Sequence, residues 1–141
     1  MREVKIIAEI GINHNGSVPI SKKLIDAAAL AGCDYVKFQK RNPDVCVPEE
    51  QRDKLRRTPW GEMRYIDYKK KIEFGKEEYD EIFRYCEQKD IGCFASVWDT
   101  DSVQFMKQYG GITKIPSALI TNAELCKSCL LYTSPSPRDR G

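Results

Sequence analysis

The opening stretch constrains the fold more tightly than anything that follows it. Val4 to Ile10 is an apolar-rich run that closes on Glu9-Ile10-Gly11 and the polar turn Asn13-His14-Asn15-Gly16. From Ser17 to Ala31, Ile20, Leu24, Ala27, Ala28 and Ala31 recur at helical spacing. Pro19 stands near the start of that segment and Gly32 just past its end, the asymmetry expected of a helix. After a very short link, Tyr35 to Gln39 reads as a second strand. Strand, helix and strand with tight connections make a parallel βαβ unit, which crosses over right-handed.

The same rhythm returns later. Tyr79, Ile82, Phe83 and Cys86 trace a helical stripe within Lys76 to Asp90, with Glu77, Glu78, Asp80 and Glu81 turned to water near its start. Gly92 to Trp98 is a third strand. Asp99 or Asp101 caps a helix striped by Val103, Met106 and Tyr109 and ended by Gly110-Gly111. Ile112 to Ile115 is a fourth strand, running into Pro116-Ser117. Between the second strand and the Lys76 helix, Arg41 to Phe74 is polar, charged and broken by Pro43, Pro48 and Pro59-Trp60-Gly61, which predicts a long loop with one short helix at most. The fold class is therefore α/β with a parallel sheet, and both barrel and doubly wound forms fit. Neither a Gly-x-Gly-x-x-Gly turn nor a Walker loop follows the first strand, which speaks against a dinucleotide site.

Composition removes several function classes. With 23 Lys and Arg against 21 Asp and Glu, the net charge is only +2 and the basic residues are scattered, so no nucleic-acid footprint is expected. No apolar run approaches the roughly 20 residues of a membrane helix, and Met1-Arg2-Glu3 leads straight into a strand, so a cytoplasmic protein is expected. Six cysteines are expected as reduced thiols, four of them in or beside helix-like and strand-like runs. Cys126-Lys127-Ser128-Cys129 has the Cys-x-x-Cys spacing but lacks two further zinc ligands. Lys69-Lys70-Lys71 reads as a solvated face. Trp60, Tyr65 and Tyr68 either line a binding mouth or pin the long loop.

The chemistry gathers at the strand ends. On the second strand Lys37 and Gln39 share a face opposite Val36 and Phe38, and an ammonium and an amide at the tip of a buried strand are costly unless a partner uses them. Glu9, Ser96, and Lys114 with Ser117 hold corresponding places on the other three strands. If these tips surround one mouth, two lysines, two hydroxyls and an amide make a site for a small anion, a phosphate or a carboxylate. Lys37 paired with Glu9 as a structural ion pair is the competing reading, and the two are compatible.

The runs Ala8-Glu9-Ile10-Gly11-Ile12-Asn13-His14-Asn15-Gly16, Val36-Lys37-Phe38-Gln39, Phe94-Ala95-Ser96-Val97-Trp98 and Lys114-Ile115-Pro116-Ser117-Ala118 resemble the sialic acid synthase family in order and spacing, over roughly residues 4–126. The resemblance implies the N-terminal half of a (β/α)₈ TIM barrel, about its first four strands, since a whole barrel takes about 250 residues. It implies condensation of phosphoenolpyruvate with an N-acylmannosamine-type sugar to a nine-carbon 2-keto acid, with release of phosphate. Carried over by position, Lys37, Gln39, Ser96, Lys114 and Ser117 would hold phosphoenolpyruvate, with Lys37 and Lys114 catalytic beside Glu9, which would position the sugar or handle protons. Asn13 and His14 are candidate sugar contacts, and His14 is expected to order its loop. A divalent metal, manganese or magnesium, is implied, with its two histidine ligands beyond this chain, so no metal site is expected here; a homodimer is implied for the full-length enzyme. Residues 127–141 are expected to stand outside the barrel as a non-native or disordered tail, and the fragment alone is expected to be inactive.

Two departures mark a distinct branch. Relatives often carry Gly-Ser-Gly-Glu after the fourth-strand lysine, where this chain has Pro116-Ser117-Ala118-Leu119, and Ser-Thr-Pro-Phe where it has Ala95-Ser96-Val97-Trp98. The alternatives are another phosphoenolpyruvate-dependent aldol-type sugar synthase and a non-catalytic anion-binding domain.

Overall fold

The computed structural model describes residues 3–133. Its main sheet holds four strands in the order β1 (Ile7–Gly11), β2 (Tyr35–Lys40), β5 (Gly92–Val97) and β6 (Thr113–Lys114), all parallel. Helix α1 (Val18–Leu30) links the first pair, α4 (Lys76–Gln88) leads into β5, and α5 (Thr100–Met106) leads towards β6. Each new strand adds to the same edge, with no reversal of order. A doubly wound sheet reverses at a switch point, so the monotonic order is that of a barrel wall, here four strands of a (β/α)₈ barrel.

The strand pleat sorts the side chains into two sets. Val36, Phe38, Ala95 and Val97 turn to the helices and pack with Ile25, Ala28, Tyr79, Ile82, Cys86, Val103 and Met106 in one buried core. Tyr35, Lys37, Gln39, Phe94 and Ser96 alternate with them and so line the concave face. Low on that face the Tyr35 ring lies edge-on to Phe94, centroids 5.7 Å apart. It crosses directly over Gly92, where an added Cβ would collide with the ring. Helix α1 is capped by the Ser17 hydroxyl, which accepts from the Ile20 amide, and α5 by Asp99, settling the choice left open between Asp99 and Asp101.

The segment 41–74 is not the long loop expected. It contains a single-turn helix α2 (Pro43–Cys46), an antiparallel hairpin of β3 (Leu55–Thr58) and β4 (Gly61–Arg64), and helix α3 (Tyr65–Ile72). The hairpin strands, Leu-Arg-Arg-Thr and Gly-Glu-Met-Arg, carry no apolar alternation because most of their side chains face solvent. Their turn is held locally: the Thr58 hydroxyl donates to the Gly61 carbonyl and accepts from the Trp60 amide. In α3 the buried stripe is only Ile66, Lys69 and Ile72, and its lysine disguises the period. The reading of Lys69-Lys70-Lys71 as a solvated face therefore fails at Lys69, which is 9% exposed, while Lys70 and Lys71 do face water.

Strand β1 begins at Ile7 rather than Val4, because residues 4–6 are exposed at the edge, where Asp34 holds the Ile6 amide through its carboxylate. Helix α6 (Ala123–Thr133) continues through the boundary expected at residue 126, and its Leu125 and Cys129 belong to the core. Residues 134–141, where the remainder of the expected tail falls, lie outside the described residues. All six cysteines are unbridged. Among the described residues no helix is long and apolar enough to cross a membrane.

Candidate active site

Parallel pairing aligns Glu9 with Lys37, Gln39 with Ser96, and Ser96 with Lys114. Paired residues of neighbouring strands point to the same face, so all five side chains rise from the concave surface near the strands' C-terminal ends. A bulge in β1 between Glu9 and Gly11 turns the strand end inward. Gly11 sits there at φ +57°, and a Cβ on it would press within 3.2 Å of the Glu9 carboxylate and 3.9 Å of the Gln39 amide nitrogen. The Glu9 carboxylate and the Gln39 amide thus flank a single point of backbone.

Lys37 is the centre of the arrangement. It is 6% exposed, and its ammonium donates to Ser96 Oγ at 2.5 Å and to the Phe38 carbonyl at 3.2 Å, with Glu9 Oε2 at 2.9 Å. Burial pulls the Lys37 pKa down, Glu9 opposes that pull, and the positive charge of Lys114 adds to it. The two amines therefore face a common space across Ser96. Lys114 and Glu9 are exposed on the open concave side. The structural pairing of Lys37 with Glu9, the competing reading of that lysine, is present. The end of β2 is fixed from behind, where the Tyr79 hydroxyl donates to the Gln39 carbonyl at 2.6 Å.

The other candidates divide. Ser117 opens a single 3₁₀ turn, Ser117–Leu119, three residues past Lys114 on the same strand end, and is exposed. Asn13 is exposed, and its amide nitrogen donates to the Ile10 carbonyl, closing the turn after β1. His14 is not brought to the others. It is 2% exposed on the helix side of the sheet, stacked on Phe74 at 4.1 Å and near Phe38, and its Nδ1 accepts from the Gly16 amide. Burial pushes its pKa down to about 4. It is a loop anchor, neutral at physiological pH, as expected of its ordering role but not of a sugar contact.

Three residues passed over in the sequence complete the mouth. Arg41 continues the Lys37, Gln39 alternation by two more residues. Its guanidinium lies 4.1 Å over the Trp98 ring and donates to Gln39 Oε1 at 3.3 Å. Lys69 from α3 faces inward nearby, over the rings of Tyr65 and Tyr68. The period-two pattern extended past Gln39 and past Ser96 would have found Arg41 and Trp98; no local signal marks Lys69. Behind the rim, buried Asp99 accepts from the Ser102 and Asn42 amides, and Glu73 takes the Lys40 ammonium at 2.9 Å. Among the described residues no group of three or more His, Cys, Asp and Glu could hold a metal ion.

The chain is thus the wall of a parallel β/α barrel, with two lysines, a carboxylate, an amide and hydroxyls at its strand ends, the face on which barrel proteins build their sites. The NeuB family model matches residues 24–135, and the chain belongs to that family. It is 33% identical to N,N'-diacetyllegionaminic acid synthase of Campylobacter jejuni, with 94% of this chain and 43% of that protein covered. It is 36% identical to N-acetylneuraminate-9-phosphate synthase of Drosophila melanogaster, with 94% and 36% covered. The solved N-acetylneuraminic acid synthetase of Leptospira borgpetersenii superposes with a TM-score of 0.79 at 30% identity, over 93% of this chain and 42% of that one. The chain thus spans about two fifths of the length of these relatives.

Proposed function

We propose that the protein to which this chain belongs condenses phosphoenolpyruvate with an N-acylmannosamine-type sugar, giving a nine-carbon 2-keto acid and phosphate. The single observation that carries this is the convergence of Lys37 and Lys114 across Ser96, with Glu9 alongside, on one open face. Phosphoenolpyruvate bears a phosphate and a carboxylate, and two point cations with hydroxyl and amide donors match that pair of anions. Ser96 already accepts from Lys37, so its own proton is free for the ligand. Gln39 and Ser117 supply further donors at neighbouring strand ends.

In the reaction, the enol methylene carbon bonds to the sugar's aldehyde carbon. Water adds at the carbon bearing phosphate, phosphate leaves, and the keto group forms. Glu9 is positioned to carry the water's proton to the new hydroxyl. The protein's share is chiefly to hold two reactants in contact and to neutralise charge. The divalent metal implied by the resemblance finds no seat among the described residues, and none of these roles depends on it. On this reading its ligands lie in the rest of the barrel, the enzyme is a cytoplasmic homodimer, and the chain alone does not turn over. In support of the last point, β1 and β6 stand at the unpaired edges of the sheet.

The test is release of phosphate from phosphoenolpyruvate by the complete protein, offered several N-acylmannosamines and their deoxy analogues. Sugar-dependent release with a 2-keto acid product is expected; absence of release with every sugar refutes the reading.

A further inference from the structure

Strand β2 ends in a backbone group that its own sheet does not satisfy. Successive carbonyls of a strand point to opposite neighbours, and the Lys40 carbonyl accepts from the Trp98 amide on the β5 side, so the Gln39 carbonyl turns to the β1 side. There β1 pairs no further than Gly11 with Phe38. A strand-end carbonyl kept from water is costly without a donor, and the Tyr79 hydroxyl of α4 supplies one at 2.6 Å. Tyr79 is 1% exposed, and the rings of Phe38, Phe74, Phe83, Phe105 and Tyr109 surround it with centroids 5.8 to 6.3 Å away. A phenylalanine would fill that cage with no hydroxyl to bury, so packing alone does not account for a tyrosine there. Burial first and the Glu73 charge second push the Tyr79 pKa up, and the hydroxyl stays a donor.

The side chain of the residue so held projects from the opposite, concave face, level with Ser96. A guanidinium only donates, so Arg41 fixes which way the Gln39 amide is turned: Oε1 faces Arg41 at 3.3 Å, and the two Nε2 donors are left for the site. We propose that Tyr79 is a positioning residue of the anion site, its hydroxyl setting the end of β2 and thereby the reach of the Gln39 amide towards phosphoenolpyruvate. The ligand in this inference rests on the condensation reading above; the effect on Gln39 rests on the fold. A peptide freed of the Tyr79 bond can swing, the swing is carried out along the Gln39 side chain, and a donor roughly 1 Å out of place loses its contact.

The experiment is a double-mutant cycle on the complete protein, with phosphoenolpyruvate affinity read by calorimetry in wild type, Tyr79→Phe, Gln39→Ala and the double variant. Tyr79→Phe keeps the ring in its cage and is expected to weaken binding about three- to tenfold, the worth of one hydrogen bond. Gln39→Ala should lose at least as much. In the double variant the Tyr79→Phe loss should vanish, because no amide is left to position. Additive losses would mark a packing role for Tyr79 and overturn the inference, as would unchanged binding in Tyr79→Phe. The magnetic resonance signals of isotope-labelled glutamine side-chain amides give a second readout without ligand. The Gln39 signal should move in Tyr79→Phe, and one that coincides with wild type overturns the positioning role. A wild type that binds no phosphoenolpyruvate, with a Gln39 signal that still moves in Tyr79→Phe, would refute the condensation reading and leave the positioning role standing.

Discussion

Replacing Lys37 with Met should separate binding from folding, because of where its partners lie. Removing one member of a buried ion pair ordinarily costs about 3–5 kcal/mol, since the other charge is left stranded out of water. Here the stranded partner would be Glu9, whose side chain is 52% exposed and regains hydration. Ser96 Oγ loses a donor but keeps a proton of its own, and the Met side chain fills the space of the lysine stem. The fold should therefore lose no more than about 1 kcal/mol, read as a small shift of the urea midpoint at constant slope. Ligand binding is a different matter: loss of a buried, charge-assisted contact costs about 2–5 kcal/mol, or roughly 30-fold to several thousand-fold in affinity. Calorimetric titration of the complete Lys37→Met protein with phosphoenolpyruvate reads this directly, with phosphate release falling in parallel. An affinity within about threefold of wild type, or a large fall in the urea midpoint, would refute the reasoning.

Two further outcomes follow from buried groups outside the mouth. His14 is neutral in the fold with a pKa of about 4 against about 6.5 unfolded, so the unfolded chain binds the extra proton between those values and stability falls as pH drops through that window. The loss amounts to roughly 3 kcal/mol at most and should vanish in His14→Gln, as followed by urea midpoints from pH 7 to pH 4. Asp99→Ala strips the cap of α5 and leaves the Asn42 amide without its acceptor, which should cost about 2–4 kcal/mol in the same assay. A change under about 0.5 kcal/mol would show that water replaces the carboxylate.

What was legible in the sequence follows physical lines. The βαβ order was readable because Val36, Phe38, Ala95 and Val97 are apolar on one face and the helices between them keep a clean stripe. Lys37, Gln39 and Ser96 were readable from pleat parity alone, and their convergence from the parallel register. The hairpin β3–β4 was not, since its strands bury almost nothing and its turn is set by Thr58 and Gly61 rather than by hydrophobic pattern. Lys69 was hidden by its exposed neighbours Lys70 and Lys71, which make a buried cation look like part of a solvated run. The ordering role expected of His14 was legible from its place in a polar turn, but its direction was not, because that depends on the loop's fold, and here it points to Phe74. Barrel and doubly wound folds share the same element order, and only the strand order tells them apart.

The central claim is that Lys37 and Lys114 grip the two ends of one small dianionic substrate. A crystal structure of the complete protein soaked with phosphoenolpyruvate tests it most directly. The account predicts the ligand's phosphate and carboxylate oxygens within hydrogen-bonding distance, about 3 Å, of both Nζ atoms, with Ser96 Oγ between them. Phosphoenolpyruvate bound elsewhere, with Lys37 still closed on Glu9 and Ser96, would contradict it.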